Sequence, residues 1–137
     1  MSNWRMQKTE VLSNVESPYL EEAFAAMGYG IDTSVKTVRG AYRSDGSQDV
    51  DCVLIDANGN NTEIGLKFEE GPDNTVAMYI CSDWWNKKTN PDDFQTKFQL
   101  EYITAQKIAV AKKEGFEVLR QEETSKETRR LVLRRAA

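Results

Sequence analysis

Histidine is absent from this 137-residue chain. That removes Ser-His-Asp and Cys-His catalysis and any histidine-based metal centre. Cysteine is scarce: Cys52 and Cys81 stand alone and far apart, too few for a disulfide framework and able to supply at most two thiolate ligands. Their strand-like neighbours favour buried small hydrophobes over a disulfide or a reactive thiol, which suits a reducing compartment. No run approaches the roughly 20 apolar residues that span a bilayer. The opening Met1-Ser2-Asn3-Trp4 also lacks the apolar core of a signal peptide. The expected address is therefore the cytoplasm, with no membrane partner. No Gly-rich loop matches a phosphate or dinucleotide fingerprint, so no cofactor is expected. Positive charge is not in excess either: 18 Lys and Arg face 22 Asp and Glu, for a net charge of −4. A general nucleic-acid binder needs a basic face to displace counterions; a local basic patch stays open.

What is present fits one domain spanning residues 1–137, with 39% hydrophobic and 29% charged residues. Trp4 to Val11 alternates as a first strand. Ser17-Pro18 opens a helix, Ser17 capping it and Pro18 occupying the position where a donor would be wasted. Leu20, Ala23, Phe24 and Met27 then form one apolar face, and Gly28 and Gly30 stop the helix. Strands follow at Lys36 to Tyr42, Val50 to Asp56, Glu63 to Glu69 and Thr75 to Cys81. The turns Ser44-Asp45-Gly46, Asn58-Gly59-Asn60 and Gly71-Pro72-Asp73-Asn74 separate them. Asn90 caps a second helix with Pro91 at its first position and Asp92 and Asp93 in its first turn. Phe94, Phe98, Tyr102, Ala105 and Ala109 recur along it, and Gly115 ends it. Short strands at Glu117 to Gln121 and Arg129 to Arg134 close the chain. These elements predict an α+β fold in which a single antiparallel sheet carries two helices packed on one face, in the order β-α-β-β-β-β-α-β-β.

The carboxylate pairs Asp49 and Asp51, Glu69 and Glu70, and Asp92 and Asp93 each sit where turns or helix starts explain them, so no catalytic residue is assigned and no enzyme is expected. Asp45-Gly46-Ser47 with Asp49 and Asp51 has the oxygen-rich look of a calcium loop but lacks the late glutamate of an EF-hand; no metal site is assigned. Two features point outward. The first is Asp83-Trp84-Trp85, at the handover from strand to helix. The plain reading packs the tryptophans under the helix, with Asp83 bonding backbone donors there. Adjacent residues of an extended segment face opposite ways, however, so both indoles do not fit one layer, and an exposed one would offer a contact of the kind that dominates interfaces. The second is the C-terminal strand bearing Arg129, Arg130, Arg134 and Arg135. It reads as a charged edge strand that resists aggregation, or as a docking patch for an acidic partner or phosphate.

At these residues the chain resembles the hypothetical chloroplast reading frame thirty-five family, also catalogued as a domain of unknown function (number twelve fifty-seven). Val38-Arg39-Gly40 matches its first sheet glycine, and Glu63-Ile64-Gly65-Leu66 resembles its Asp-Ile-Gly-Phe strand. Cys81-Ser82-Asp83-Trp84-Trp85 is similar to its Ala-Asp-Trp-Trp-like segment. Phe94, Tyr102 and Lys113-Glu114-Gly115-Phe116 fall at matching offsets, and Leu131-Val132-Leu133-Arg134-Arg135 matches its closing strand. Met1-Ser2-Asn3-Trp4 stands where the family often begins Met-Ser-His-Phe, and Glu101 stands where it commonly carries arginine, reversing a charge on what is expected to be the helix surface. The resemblance implies occurrence in cyanobacteria, plastids, other bacteria or phages, with the plastid stroma as a second address. It implies no catalytic residues, and it hints at an accessory role beside an AAA-type ATPase. The expected function is protein–protein binding, with a dimer mate or an AAA-type ATPase as partner. The expected contacts are Asp83, Trp84, Trp85, Arg129, Arg130, Arg134 and Arg135. Nucleic-acid binding through the arginine strand is the alternative, and carboxylate or Cys81 chemistry a more remote one.

Overall fold

A computed structural model describes residues 2–11, 18–72 and 76–136. The expected cap Ser17, the turn residues Asp73 and Asn74, and Thr75 lie outside the described residues. Along the chain come β1 (Trp4–Val11), α1 (Pro18–Ala26), β2 (Gly30–Asp32), β3 (Thr37–Arg39), a single 3-10 turn (Arg43–Asp45) and β4 (Ser47–Asp49). Then follow β5 (Cys52–Ile55), β6 (Asn61–Glu70), β7 (Val76–Asp83), α2 (Pro91–Lys113), β8 (Phe116–Glu123) and β9 (Arg129–Arg135).

The α+β class and most of the element order are as expected, but the strands form three sheets, not one. β1-β7-β6-β5-β2 make a five-stranded antiparallel sheet, while β3-β4 and β8-β9 are separate two-stranded units. β2 and β4 are additional short strands; Gly30, expected only to stop a helix, opens β2 opposite Ile55.

Burial explains the partition. One face of the large sheet supplies Cys52, Leu54, Ile64, Leu66, Met78 and Ile80 to a core closed by Leu20, Ala23 and Phe24 of α1 and by Phe94, Phe98 and Tyr102 of α2. Phe24 and Phe98 stack with centroids 4.6 Å apart. Period-2 alternation aims Val53 and Cys81 the other way. There they bury with Val38 and Val50 in a second cluster, flanked by Trp4 and Val35. The opposite face is thus partly covered by the segment carrying β3 and β4, although both helices pack on one face as expected. Gly65 permits that approach: a Cβ on it would lie 2.5 Å from Val50 Cγ1.

α2 is built as its sequence dictates. Asn90 Oδ1 accepts from Asp93 N at 2.8 Å, Pro91 follows, and Lys112 and Lys113 sit in the last turn. Gly115 takes φ 88° beyond its end. Besides the expected stripe, Leu100, Glu101, Thr104 and Ala111 are buried. This second stripe explains the detached hairpin. Glu101, expected on the helix surface, is 7% exposed and paired with Arg129 of β9 at 2.5 Å. The hairpin lies against α2 instead of extending the sheet, because an isolated two-stranded unit needs such support.

A candidate partner-binding cleft at the strand–helix junction

The junction is organised by one carboxylate. Asp83, the last residue of β7, is fully buried. Its Oδ1 accepts from the backbone N–H groups of Asn3 at 2.7 Å and Trp85 at 3.1 Å, and its Oδ2 from that of Ala41 at 3.0 Å. Lys87 Nζ donates to its backbone oxygen at 2.5 Å. Three chain segments, remote in sequence, are thereby tied to one side chain. Trp84 N donates to Asn3 O at 2.9 Å and Trp4 Nε1 to Asp45 O at 2.9 Å, closing the same knot. Burial raises the Asp83 carboxyl, but the three N–H bonds and the Lys87 ammonium outweigh it, so its pKa lies below the ordinary value. Burial lowers the Lys87 ammonium, with the Asp83 and Glu63 carboxylates opposing, so Lys87 sits below ordinary lysine.

The two tryptophans divide as the pleat requires. Trp84 is buried in the main core with its ring 5.4 Å from that of Phe94; its Nε1 has no hydrogen-bond partner among the described residues. Trp85 is 38% exposed. It lines a cleft of about 850 Å³ together with Arg39, Tyr42, Thr62, Glu63 and Lys87. Tyr42 is exposed as well, so the cleft presents two aromatic rings beside charged groups of both signs.

The cleft holds two non-glycine residues with positive φ, Glu63 at 57° and Asn86 at 64°. Such conformations are strained and persist where the surroundings over-determine them. At Glu63 the restraints are visible: Asn61 Oδ1 accepts from its N–H at 2.7 Å, and its carboxylate accepts from Arg39 N at 2.7 Å and Arg39 Nη2 at 3.1 Å. Ser82 Oγ donates to its carbonyl at 2.8 Å. Gly40 completes the wall, since a Cβ there would lie 2.5 Å from Asp45 Cβ.

Of the residues expected from sequence, the structure brings together Asp83, Trp84 and Trp85, but only Trp85 reaches the surface; Asp83 and Trp84 support it from inside. None of the residues lining the cleft comes from β9. Arg129 is buried between Glu101 and Glu123, Arg130 pairs with Glu122 and Arg134 with Glu117, and Arg135 stacks over Phe116 at 4.8 Å. The hairpin's acidic strand thus matches its basic one. Sequence reasoning missed Tyr42, Glu63 and Lys87. For Tyr42 and Glu63 the strand assignment hid the loop and the φ reversal.

Both thiols are buried and unpaired by a disulfide. Burial pushes the Cys52 thiol up to about 11, Asp51 adding to the effect, and burial also raises Cys81. Among the described residues no three His, Cys, Asp or Glu side chains gather as a metal-binding group, and no helix is long and apolar enough to cross a membrane.

Comparison with known proteins found no matching curated protein and no matching solved structure. A family profile does match, over residues 23–132. That span begins within α1, takes in Asp83, the whole cleft and α2, and stops within β9. The chain belongs to the family described as Protein of unknown function (DUF1257).

Proposed function

We propose that this is an accessory protein that works by binding another protein at the Trp85 cleft. The observation that carries the reading is an exposed indole held on a rim that the fold strains its backbone to build. Asp83 fixes the backbone on either side of the ring's wall, and two left-handed residues shape the floor. Tryptophan is the side chain most enriched among interface hot spots, because a rigid ring offers contact area at small entropic cost. An AAA-type ATPase of the cytoplasm or plastid stroma is the partner class that family resemblance suggests. The arginine strand supports nucleic-acid binding less well, because its guanidiniums are engaged within the hairpin, by α2 and by Phe116, and displacing counterions needs free cations.

The test is affinity capture from the native host with the wild-type chain, identification of the bound protein, and titration against purified variants. Trp85→Ala is expected to weaken binding by about 30-fold or more, as for a hot spot of ~2 kcal/mol, while thermal unfolding stays within a few degrees of wild type. Arg130→Ser with Arg134→Ser is expected to leave affinity nearly unchanged. A partner that binds Trp85→Ala as tightly as wild type would remove the cleft from consideration.

A further inference from the structure

The wall of the Trp85 cleft carries a cation without a counter-ion of its own. Lys87 is half-buried and lines the cleft beside Trp85. One of the three N–H groups of its ammonium donates to a neutral carbonyl, Asp83 O, at 2.5 Å. It makes no ion pair with any described residue. The two carboxylates whose charge reaches it, Asp83 and Glu63, are committed elsewhere. Glu63 Oε2 accepts from Arg39 N at 2.7 Å, and its Oε1 from Arg39 Nε at 3.2 Å and Nη2 at 3.1 Å. Asp83 spends both oxygens on the N–H groups of Asn3, Ala41 and Trp85. Thr62 Oγ1, also in the wall, donates to Leu54 O at 2.7 Å and accepts from Ile64 N at 3.2 Å. Burial holds the Lys87 ammonium below the ordinary lysine range against the pull of both carboxylates.

The cleft thus offers donors while its carboxylate acceptors are spent. Trp85 Nε1 likewise makes no hydrogen bond with a described residue. A partly desolvated ammonium is best satisfied by an acceptor that carries negative charge. Bidentate recognition of phosphate calls on an arginine fork, and the guanidinium lining the cleft, that of Arg39, is engaged by Glu63. The remaining point charge on Lys87 suits a carboxylate. We infer that the partner inserts an Asp or Glu side chain against Lys87, with an apolar neighbour in the partner's own chain covering Trp85. This partner chemistry rests on the reading of the cleft as the binding site, and it says what enters there.

A randomised peptide library displayed on phage and selected on the full chain tests it. The selected peptides are expected to lose binding to Trp85→Ala and to carry an acidic residue next to, or one position from, an apolar one. One such peptide is then made in two forms, with the acid and with the matching amide. The amide form is expected to bind the wild type about tenfold or more weakly than the acid, yet to differ less than about twofold on Lys87→Met, as a double-mutant cycle requires of a direct pair. The acid-against-amide comparison on the wild-type chain decides the carboxylate even where Lys87→Met fails to fold. Trp85-dependent peptides without an acid, an amide form as tight as the acid, or an acid preference that survives in folded Lys87→Met would overturn the proposal and leave the cleft standing as the binding site. A selection that yields no Trp85-dependent peptide would remove both.

Discussion

Replacing Asp83 separates the role of its shape from that of its charge. In the native fold its two oxygens accept three backbone N–H bonds, two on Oδ1 and one on Oδ2. Asp83→Ala removes all three acceptors at a fully buried position. A buried donor left without a partner costs about 1–3 kcal/mol. These donors are only partly buried, so water can reach some of them, and a loss of about 3–5 kcal/mol is expected. Asp83→Asn keeps one acceptor oxygen. Placed at Oδ1, it retains the bonds from Asn3 and Trp85 but turns its NH2 against the N–H of Ala41, for an expected cost of about 1–3 kcal/mol. Against a total stability of roughly 5–15 kcal/mol for a domain, the alanine variant should be visibly marginal.

Urea unfolding at neutral pH measures both, with the slope checked for constancy. The pH dependence adds a second readout. The folded Asp83 carboxyl lies below its ordinary value, so its contribution is fully present above the unfolded pKa of about 3.9 and disappears as pH falls through the lower folded value. The wild-type advantage over Asp83→Asn should therefore shrink in acid and hold constant near neutrality. An asparagine variant as stable as wild type, or an alanine variant within about 1 kcal/mol, would refute the account of the junction as a charge-assisted knot.

Three further outcomes follow from the packing. Removing either side of the Glu101–Arg129 pair, as in Arg129→Met, should cost about 1.5–3 kcal/mol, since Lys97 still faces Glu101 at 3.5 Å and Glu123 faces Arg129 at 3.0 Å, whereas Glu101→Leu combined with Arg129→Met should restore most of it in a double-mutant cycle. Gly65→Ala drives a methyl against Val50 and should lower stability by about 1–3 kcal/mol; adding Val50→Ala should mitigate the loss of melting temperature instead of deepening it. Cys52 and Cys81 should resist a thiol reagent at pH 8 and both react in denaturant. Because burial lifts Cys52 from near 9 to about 11, its contribution is present below pH 9 and is lost as pH rises toward 11, which a stability profile in alkali would show.

The helix α2 was legible in the sequence because its signals are local. Asn90, Pro91, the early aspartates and Gly115 act within a turn of where they stand, and the 94-98-102-105 stripe needs only one neighbouring layer. The exposed indole was half legible: the pleat demands that Trp84 and Trp85 diverge, yet which of them faces in depends on Phe94 arriving from the next element. Sheet partition was not legible. Leu131 and Leu133 share one side of β9 but do not say whether a strand or a helix lies beside it, and Glu101 on α2 settles that choice only once Arg129 is seen against it.

Glu63 shows why the cleft itself escaped a reading by periodicity. In sequence it is the polar partner of an alternating strand, with Ile64, Leu66 and Phe68 turned inward. In the structure Ile64, Gly65 and Leu66 are buried in succession, because both faces of the sheet are covered at that point. The pairing with β5 slips here: Val53 lies opposite Gly65, but Ile55 lies opposite Asn61, so β6 carries extra residues at this point. The left-handed backbone of Glu63 sits within that irregularity, and its carboxylate fastens β3 through Arg39. A glycine inside a strand marks a close approach of another chain segment. Gly65 therefore carried the clue: it required something above the sheet, and whatever came there had to be anchored at its margin, where Glu63, Asp83 and Trp85 meet. Glu63→Gly tests this linkage directly. It relieves the backbone but removes the anchor, so β3 should lose amide-exchange protection at Arg39 while α2 keeps its own. Unchanged protection at Arg39 would mean that the strained residue is not what holds the cover in place.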